Sequence, residues 1–225
     1  MTVIRFTRIT TAAVFITLLV ILTAPGLVQA ETKDAETQRL IRGIEHTYSG
    51  RDIRVDFSQT STLKAIDITE EAYGKAWFGH PGKMKWEYVE PEANQIITDG
   101  KTVWIYRPQE NQVVTGNAPD FFRNGAGGSF LADITQLRKR YTITLKTLEP
   151  EYGDLFLAPV DKTPDIDSVV LTVSRQSLEI LKITTINTYG DTTTLTFSNA
   201  IFGPVDPSLF TFTPPEGVDV LLMNQ

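Results

Sequence analysis

From Ile53 onward, apolar and polar residues alternate with a period of two, and this alternation limits the possible fold more than any other feature. The first run places Ile53, Val55 and Phe57 on one side, with a polar residue after each of them. Because successive side chains of a strand point to opposite faces of a sheet, each such run predicts a strand with one buried face. The chain is therefore predicted to be mainly β.

Turn residues separate the predicted strands. Pro81-Gly82 joins two of them, Asp99-Gly100 is a strong hairpin signal, and Gly190-Asp191 indicates a turn near the end of the chain. Further strands are predicted at residues 95–97, 103–106, 141–148, 153–158, 168–174, 178–189 and 192–197. A sequential antiparallel meander of this kind curls into a barrel or a partial barrel.

One amphipathic helix is predicted before the strands, from Asp34 to Tyr48. Apolar residues recur there at helical spacing, Thr32 or Asp34 can cap its start, and Gly50 marks its end. Gly43, in the middle of this segment, is unfavourable for a helix.

The strand alternation is interrupted between residues 115 and 140. A glycine-rich stretch gives this segment flexibility, and Ser129 can cap a short helix whose apolar face carries Phe130, Leu131 and Ile134. We therefore predict one or two short helices inserted between strands.

The first thirty residues have the pattern of an export signal. Arg5 and Arg8 form a basic end, an apolar run covers residues 12–22, and Val28-Gln29-Ala30 is a small-residue cleavage site. The apolar run is shorter than the roughly 20 residues that cross a bilayer, although an uncleaved membrane anchor is the alternative. We expect residues 1–30 to be removed, and residues 31–225 to form a single domain outside the cytoplasm.

Charge and cysteine content exclude several classes of protein. Residues 1–30 contain two arginines and no acidic residue, so their removal changes the net charge from −6 to −8, which disfavours binding to nucleic acid. The chain has no cysteine, which excludes disulfides, zinc–thiolate sites and cysteine nucleophiles. The hydrophobic core alone must hold this domain together.

No constellation of catalytic or metal-binding residues stands out. The two histidines, His46 on the polar side of the predicted helix and His80 before Pro81, lack the spacing of a zinc site. The glycine-rich stretch lacks the lysine of a phosphate-binding loop, and a nucleophile elbow is absent. We expect no enzyme activity, no metal and no cofactor.

Apolar and aromatic side chains are the more informative group. Trp77, Met84, Trp86 and Trp104 lie on predicted strands. They could simply fill a packed core, as aromatic residues usually do. The alternative is that a curled sheet leaves an apolar cavity, which the inserted helices close as a lid.

Four short segments add a more specific signal: FTFTPPEGVDV at residues 210–220, ITDGKTVWIY at 97–106, PGKMKW at 81–86 and FSQ at 57–59. In order and spacing they resemble the corresponding segments of LolA, the periplasmic outer-membrane lipoprotein carrier family. The resemblance extends along essentially the whole predicted mature chain.

The resemblance implies an incomplete antiparallel β-barrel, or half-barrel, with a helical lid over an apolar cavity. It also implies a monomeric periplasmic carrier that takes acylated lipoproteins from an inner-membrane lipoprotein-releasing ABC transporter. Such a carrier shields the acyl chains from water and passes the lipoproteins to an outer-membrane lipoprotein receptor.

Candidate lipid-binding residues follow from the matched motifs together with the strand alternation. On the sheet side of the expected cavity they are Met84 and Trp86. From the lid they are Leu40, Ile44, Phe130, Leu131 and Ile134.

His80 departs from the family pattern. In many members the residue before the proline of this turn is an arginine, whose hydrogen bonds to the lid favour the closed form. A neutral imidazole has one N–H donor where a guanidinium has five, and histidine changes its charge near neutral pH. We predict that His80 is a weaker or pH-sensitive lid latch; the alternative is a histidine tolerated at an exposed turn.

Two other functions stay open at this point. A periplasmic sensing domain of the same fold would bind lipidated or misfolded envelope components, although such proteins usually carry an additional domain. A secreted hydrolase with a lid over an apolar pocket would need a nucleophile and a base that the sequence does not reveal.

Overall fold

Twelve strands form one open sheet in the computed structural model, which describes residues 25–123, 131 and 134–223. The strands are β1 (Ile53–Leu63), β2 (Ile68–Gly79), β3 (Lys83–Glu90), β4 (Asn94–Thr98), β5 (Thr102–Arg107), β6 (Gln112–Asn117), β7 (Tyr141–Leu148), β8 (Tyr152–Pro159), β9 (Ser168–Ser174), β10 (Ile180–Ile186), β11 (Thr192–Phe202) and β12 (Asp219–Leu222). Their order across the sheet is β12-β6-β5-β4-β3-β2-β1-β11-β10-β9-β8-β7. All neighbouring strands are antiparallel except β12 and β6, which are parallel. The predicted mainly β, incomplete barrel is confirmed.

The sheet consists of two meanders joined at β1. Strands β1 to β6 form one meander and β7 to β11 the other, and β11 returns to pair with β1 so that Phe57 lies opposite Phe197. The break between the two meanders falls in the predicted interruption between residues 115 and 140. Because β6 and β7 lie far apart in the sheet, the connection between them, residues 118–140, has to pass from one meander to the other.

Three strands differ from the predicted set. β6 and β12 have no predicted counterpart, and β10 covers only residues 180–186 of the predicted 178–189. β6 ends in Thr-Gly-Asn, and all four residues of β12 are exposed, so neither strand has a clear alternation of buried and exposed positions.

Helices cover one face of the sheet, which we call the inner face. They are α1 (Pro25–Tyr48), α2 (Ala118–Arg123) and α3 (Leu137–Arg140), the last preceded by a 3₁₀ turn at Ile134–Gln136. Together, α1, α2 and residues 134–140 are called the lid. Short helices therefore do occupy the insertion, whereas Ser129 and the glycine-rich stretch before it lie outside the described residues. No helix of the described chain combines the length and apolar character needed to cross a bilayer.

α1 begins earlier than predicted and ends where predicted. Its first residue is Pro25, so neither Thr32 nor Asp34 is its cap. It ends at Tyr48 because Gly50 adopts a φ of 66°, a left-handed conformation that commonly terminates helices.

Gly43 allows α1 to lie close to the sheet. A Cβ at this position would be only 2.7 Å from Cδ1 of Leu178, in the turn between β9 and β10. On the other side of the contact, a Cβ on Gly153 of β8 would be 2.6 Å from Cδ1 of Leu40. The glycine that is unfavourable for the helix is therefore explained by close packing.

The main hydrophobic core lies between the lid and the inner face. Leu40 and Ile44 of α1, and Leu137 of α3, are fully buried in this part of the molecule. The hydroxyl of Tyr48 accepts the backbone N–H of Ile180 at 2.9 Å, which fixes the end of α1 to the start of β10. Burial raises the pKa of Tyr48 well above its usual range, so its phenol stays neutral.

The C-terminal segment covers part of the opposite, outer face. The ring of Phe210 is buried against Gly79, and Phe212 packs with its ring centroid 5.4 Å from that of Tyr106. The FTFTPPEGVDV motif therefore has a structural role on the outer face, away from the lid.

Candidate functional site

A cavity of about 200 Å³ lies between the inner face and α2. Its walls are apolar and aromatic for the most part, with polar groups confined to a few positions. The lining residues are Gln59, Met84, Trp86, Tyr88, Ile96, Phe121, Thr193 and Leu195.

Strand alternation on β3 places Met84, Trp86 and Tyr88 on the inner face. Trp86 is the centre of an aromatic cluster, with edge-to-face contacts to Phe57 at 4.8 Å and to Phe78 at 5.6 Å between ring centroids. Its indole N–H donates to Sδ of Met84 at 3.3 Å, so its single polar group needs no water. This wall of the cavity therefore has its indole N–H satisfied within the protein and is held in place by ring packing.

A hydrogen bond closes one end of the cavity. The hydroxyl of Tyr88 donates to Oε1 of Gln59 at 2.9 Å, and Nε2 of Gln59 donates to Oγ of Ser61 at 3.0 Å. Burial raises the pKa of Tyr88 to about 12, so the phenol remains a neutral donor at physiological pH.

Beyond this hydrogen bond lies a larger, polar cleft of about 510 Å³. It shares Gln59 and Tyr88 with the apolar cavity, and its other walls include Glu70, Glu71 and Glu90. The Tyr88–Gln59 pair thus separates an apolar compartment from an acidic one.

Four of the predicted lid residues lie in the same core as Met84 and Trp86. Leu40, Ile44, Leu131 and Ile134 are all almost completely buried there. They do not belong to the residues that line the 200 Å³ cavity, which are contributed by the sheet and by α2. The fifth predicted lid residue, Phe130, lies outside the described residues.

Sequence reasoning missed Phe121 as a lining residue. It lies in α2, which is too short to show a helical period, so only its place between Pro119 and the glycine-rich stretch could have indicated it. Tyr88 and Ile96 could have been predicted as lining residues. Tyr88 continues the alternation of Met84 and Trp86, and Ile96 lies opposite Trp86 on β4.

An ion pair connects α3 to α1 at the surface of the lid. Nε of Arg138 lies 2.5 Å from Oε1 of Glu45, and Nη2 donates to Oε2 of the same carboxylate at 3.1 Å. Nη1 donates to Oε1 of Gln38 at 2.8 Å. A planar guanidinium that contacts both oxygens of one carboxylate fixes the relative orientation of two helices.

His80 lies in the turn between β2 and β3, half-buried. Its backbone N–H donates to Oδ1 of Asp52 at 3.3 Å, and Oδ2 of Asp52 accepts the N–H of Val205. Nε2 of the imidazole is buried and has no hydrogen-bond partner. The ring therefore presents an unused polar atom to the protein interior, which is unusual for a residue at a simple exposed turn.

Within the described residues, no group of histidine, aspartate or glutamate side chains has an arrangement that could hold a metal ion. What the site can do is surround an apolar ligand. The fold and the cavity define a class of protein: an open β-sheet with an apolar cavity beneath a helical lid.

Comparison with known proteins identifies the family. The chain matches the family described as "Outer membrane lipoprotein carrier protein LolA" over residues 50–213, and it belongs to this family. It is 29% identical over 205 residues to the outer-membrane lipoprotein carrier protein of Chromobacterium violaceum, covering 89% of this chain and 95% of that protein.

Solved structures share the fold at low sequence identity. A conserved protein from Thermus thermophilus has a TM-score of 0.55 and 13% identity, and the match covers 84% of this chain and 99% of that one. The crystal structure of MucB has a TM-score of 0.50 and 14% identity, with 80% of this chain and 64% of that chain covered.

Proposed function

We propose that this chain is a periplasmic carrier that binds the acyl chains of lipoproteins. The observation that carries the proposal is an apolar, aromatic cavity between sheet and lid in a member of the lipoprotein carrier family. The cargo would be received from an inner-membrane ABC transporter and delivered to an outer-membrane lipoprotein receptor. The protein acts by binding and not as an enzyme, and it works as a monomer released from its export signal after Ala30.

The size of the cavity requires the lid to move. Pockets for small organic ligands measure about 300–1,000 Å³, and the apolar cavity here measures about 200 Å³. Each acyl CH₂ hidden from water contributes roughly 0.8 kcal/mol, so one fatty chain requires on the order of 10 kcal/mol of apolar contact. Opening the lid would expose the buried apolar residues beneath it and supply that contact.

The proposed binding residues form two groups. Met84, Trp86, Tyr88 and Phe121 make the wall that an acyl chain first meets. The second group becomes available when the lid separates from the sheet, and consists of Leu40, Ile44, Leu131 and Ile134. Phe130 is proposed with them on the basis of the sequence alone. His80, with its unpartnered Nε2, is proposed as a latch between sheet and lid.

Release of lipoproteins from membranes tests the proposal. Purified mature protein is incubated with inner-membrane vesicles or spheroplasts and ATP, and the soluble fraction is searched for lipoproteins in complex with it. Phe121→Ser should reduce the yield, whereas Val89→Ser, a matched change at an exposed position of β3, should leave it unchanged. A soluble fraction without lipoprotein would show that the chain is not a carrier.

A further inference from the structure

Two hairpin turns end side by side at one end of the sheet and carry exposed apolar residues. The first, residues 63–68, joins β1 to β2, and the second, residues 187–191, joins β10 to β11. The backbone N–H of Lys64 donates to Oδ1 of Asp191 at 2.9 Å and couples the two turns. We call them the paired tips. Their exposed apolar side chains are Leu63 at 44%, Ile66 at 62%, Ile68 at 46% and Tyr189 at 75% exposure.

The paired tips project beyond the neighbouring strand. The last pair between β2 and β3 joins Tyr73 to Glu90, so residues 68–72 of β2 have no partner on β3. At about 3.3 Å per residue, this overhang is roughly 16 Å long. A convex projection of this kind offers its side chains outward.

The apolar residues of the first tip face the same side as the cavity. Leu63 and Ile68 form a cross-strand pair, and alternation along β1 puts Leu63 on the same face as Phe57. Between the tip and the cavity lies a polar band that includes Gln59 and Ser61. The opening of the acidic cleft, with the cavity behind it, therefore faces any surface that the paired tips touch.

We propose that the paired tips are a contact site for the surface of a zwitterionic lipid bilayer. Exposed leucine, isoleucine and tyrosine side chains on a convex tip enter the headgroup region without needing a complementary pocket, and tyrosine favours this interface. The proposal rests on the proposed carrier function, because it turns the acidic cleft, and behind it the end of the cavity that the Tyr88–Gln59 hydrogen bond closes, towards the membrane that holds the acyl chains.

The charges around the paired tips select the lipid. The tips carry Lys64, Asp67 and Asp191, and Glu70 and Glu71 follow on β2. This excess of negative charge is repelled by an anionic membrane over roughly one Debye length, about 8–10 Å at physiological salt. Contact is therefore weak, reversible and strongest on neutral lipid, which suits a shuttle that must leave the membrane again.

Flotation with lipid vesicles tests the proposal. Mature protein should float with phosphatidylcholine vesicles, less with vesicles containing phosphatidylglycerol, and salt should reduce the difference. The triple variant Leu63→Ser, Ile66→Ser, Ile68→Ser should float about tenfold less, because it loses most of the exposed apolar surface of the tip. Ile201→Ser is the matched control, since Ile201 is 58% exposed on the outer face. Absence of wild-type flotation, or equal flotation of wild type and triple variant, overturns the proposal.

Two further measurements separate the possible failures. An acyl probe in solution, without vesicles, should bind the triple variant and the wild type equally, and loss of binding in the variant alone would show that the tip belongs to the cavity and overturn the proposal. If neither protein binds the probe, the carrier function fails while flotation still reports on the tip. Normal flotation of a triple variant that no longer releases lipoproteins from inner-membrane vesicles would assign the tip to a protein partner instead.

Discussion

The guanidinium of Arg138 and the carboxylate of Glu45 join α3 to α1 through two contacts, with Nε 2.5 Å from Oε1 and Nη2 3.1 Å from Oε2. Both side chains are about one third exposed, at 39% and 30%. An ion pair at this exposure contributes up to about 1 kcal/mol and is weakened by salt. The pair is therefore suited to hold two parts of the lid, α1 and α3, together without preventing their separation.

The first prediction concerns this pair. Glu45→Gln should speed the exchange of a bound acyl probe about two- to fivefold, because the contact that keeps α1 and α3 together loses up to about 1 kcal/mol and the two helices separate more often. High salt should speed exchange in the wild type but have little effect on the variant. Glu110→Gln is the control, since it breaks a similar exposed pair with Arg107 on a turn outside the lid. Equal exchange rates for all three proteins would show that the contact between α1 and α3 does not control access to the cavity.

The second prediction concerns stability at alkaline pH. Burial raises the pKa of Tyr88 from 10 to about 12. Between these values the folded protein keeps a proton that the unfolded chain releases, so the free energy of unfolding falls as pH rises from about 10 to 12. A difference of two pKa units corresponds to about 2–3 kcal/mol. Tyr48, whose pKa is also raised by burial, acts in the same direction.

Urea unfolding from pH 8 to 11.5 measures this effect. Tyr88→Phe should unfold more easily at pH 8, because the hydrogen bond to Gln59 is lost, but its stability should decline less above pH 10. Tyr189→Phe, at a position that is 75% exposed, is the control and should follow the wild type. Parallel curves for Tyr88→Phe and the wild type would contradict the raised pKa.

Alternation along single strands allowed much of the sheet side of the site to be predicted. Met84 and Trp86 do line the cavity, and Tyr88 follows from the same pattern. The hairpin at Asp99-Gly100 could also be predicted, because both residues act locally in the turn. Asp99 accepts the N–H groups of Lys101 and Thr102, and Gly100 has a φ of 92°. These features depend on residues that are close together in the sequence.

Features that depend on distant contacts could not be predicted in this way. The pairing of β1 with β11 brings Phe57 next to Phe197, 140 positions later, and alternation gives no information about which strands meet. The start of α1 was misjudged because a cap-like Thr32 or Asp34 can also lie inside a helix. Phe121 was missed because the six residues of α2 are too few to show a period.

The third prediction concerns the contact of Gly43 with Leu178. Gly43→Ala should lower the free energy of unfolding by about 1–3 kcal/mol, because the new methyl group would overlap Cδ1 of Leu178. Helix propensity alone would raise it by about 1 kcal/mol. In a Leu178→Ala background, Gly43→Ala should lower the free energy of unfolding by less than it does in the wild type, because the smaller side chain leaves room for the methyl group. Chemical denaturation of the wild type, the two single variants and the double variant measures this coupling. Additive effects of the two changes would contradict an unfavourable contact between the new methyl group and Leu178.

The fourth prediction concerns His80, whose Nε2 is buried without a partner. If the imidazole is a latch, changing the number of donors at this position should change how fast a bound lipid probe exchanges. His80→Ala should speed exchange, whereas His80→Arg, with five donors, should slow it.

His46→Ala is the matched control for this series, since His46 is exposed on α1 and its loss should not change the exchange rate. Oδ1 of Asp52 accepts the backbone N–H of His80, so Asp52→Asn tests whether the carboxylate that holds the turn contributes to the exchange rate. Identical exchange rates for His80→Arg, His80→Ala and the wild type would contradict the latch and leave His80 as a tolerated residue of the turn.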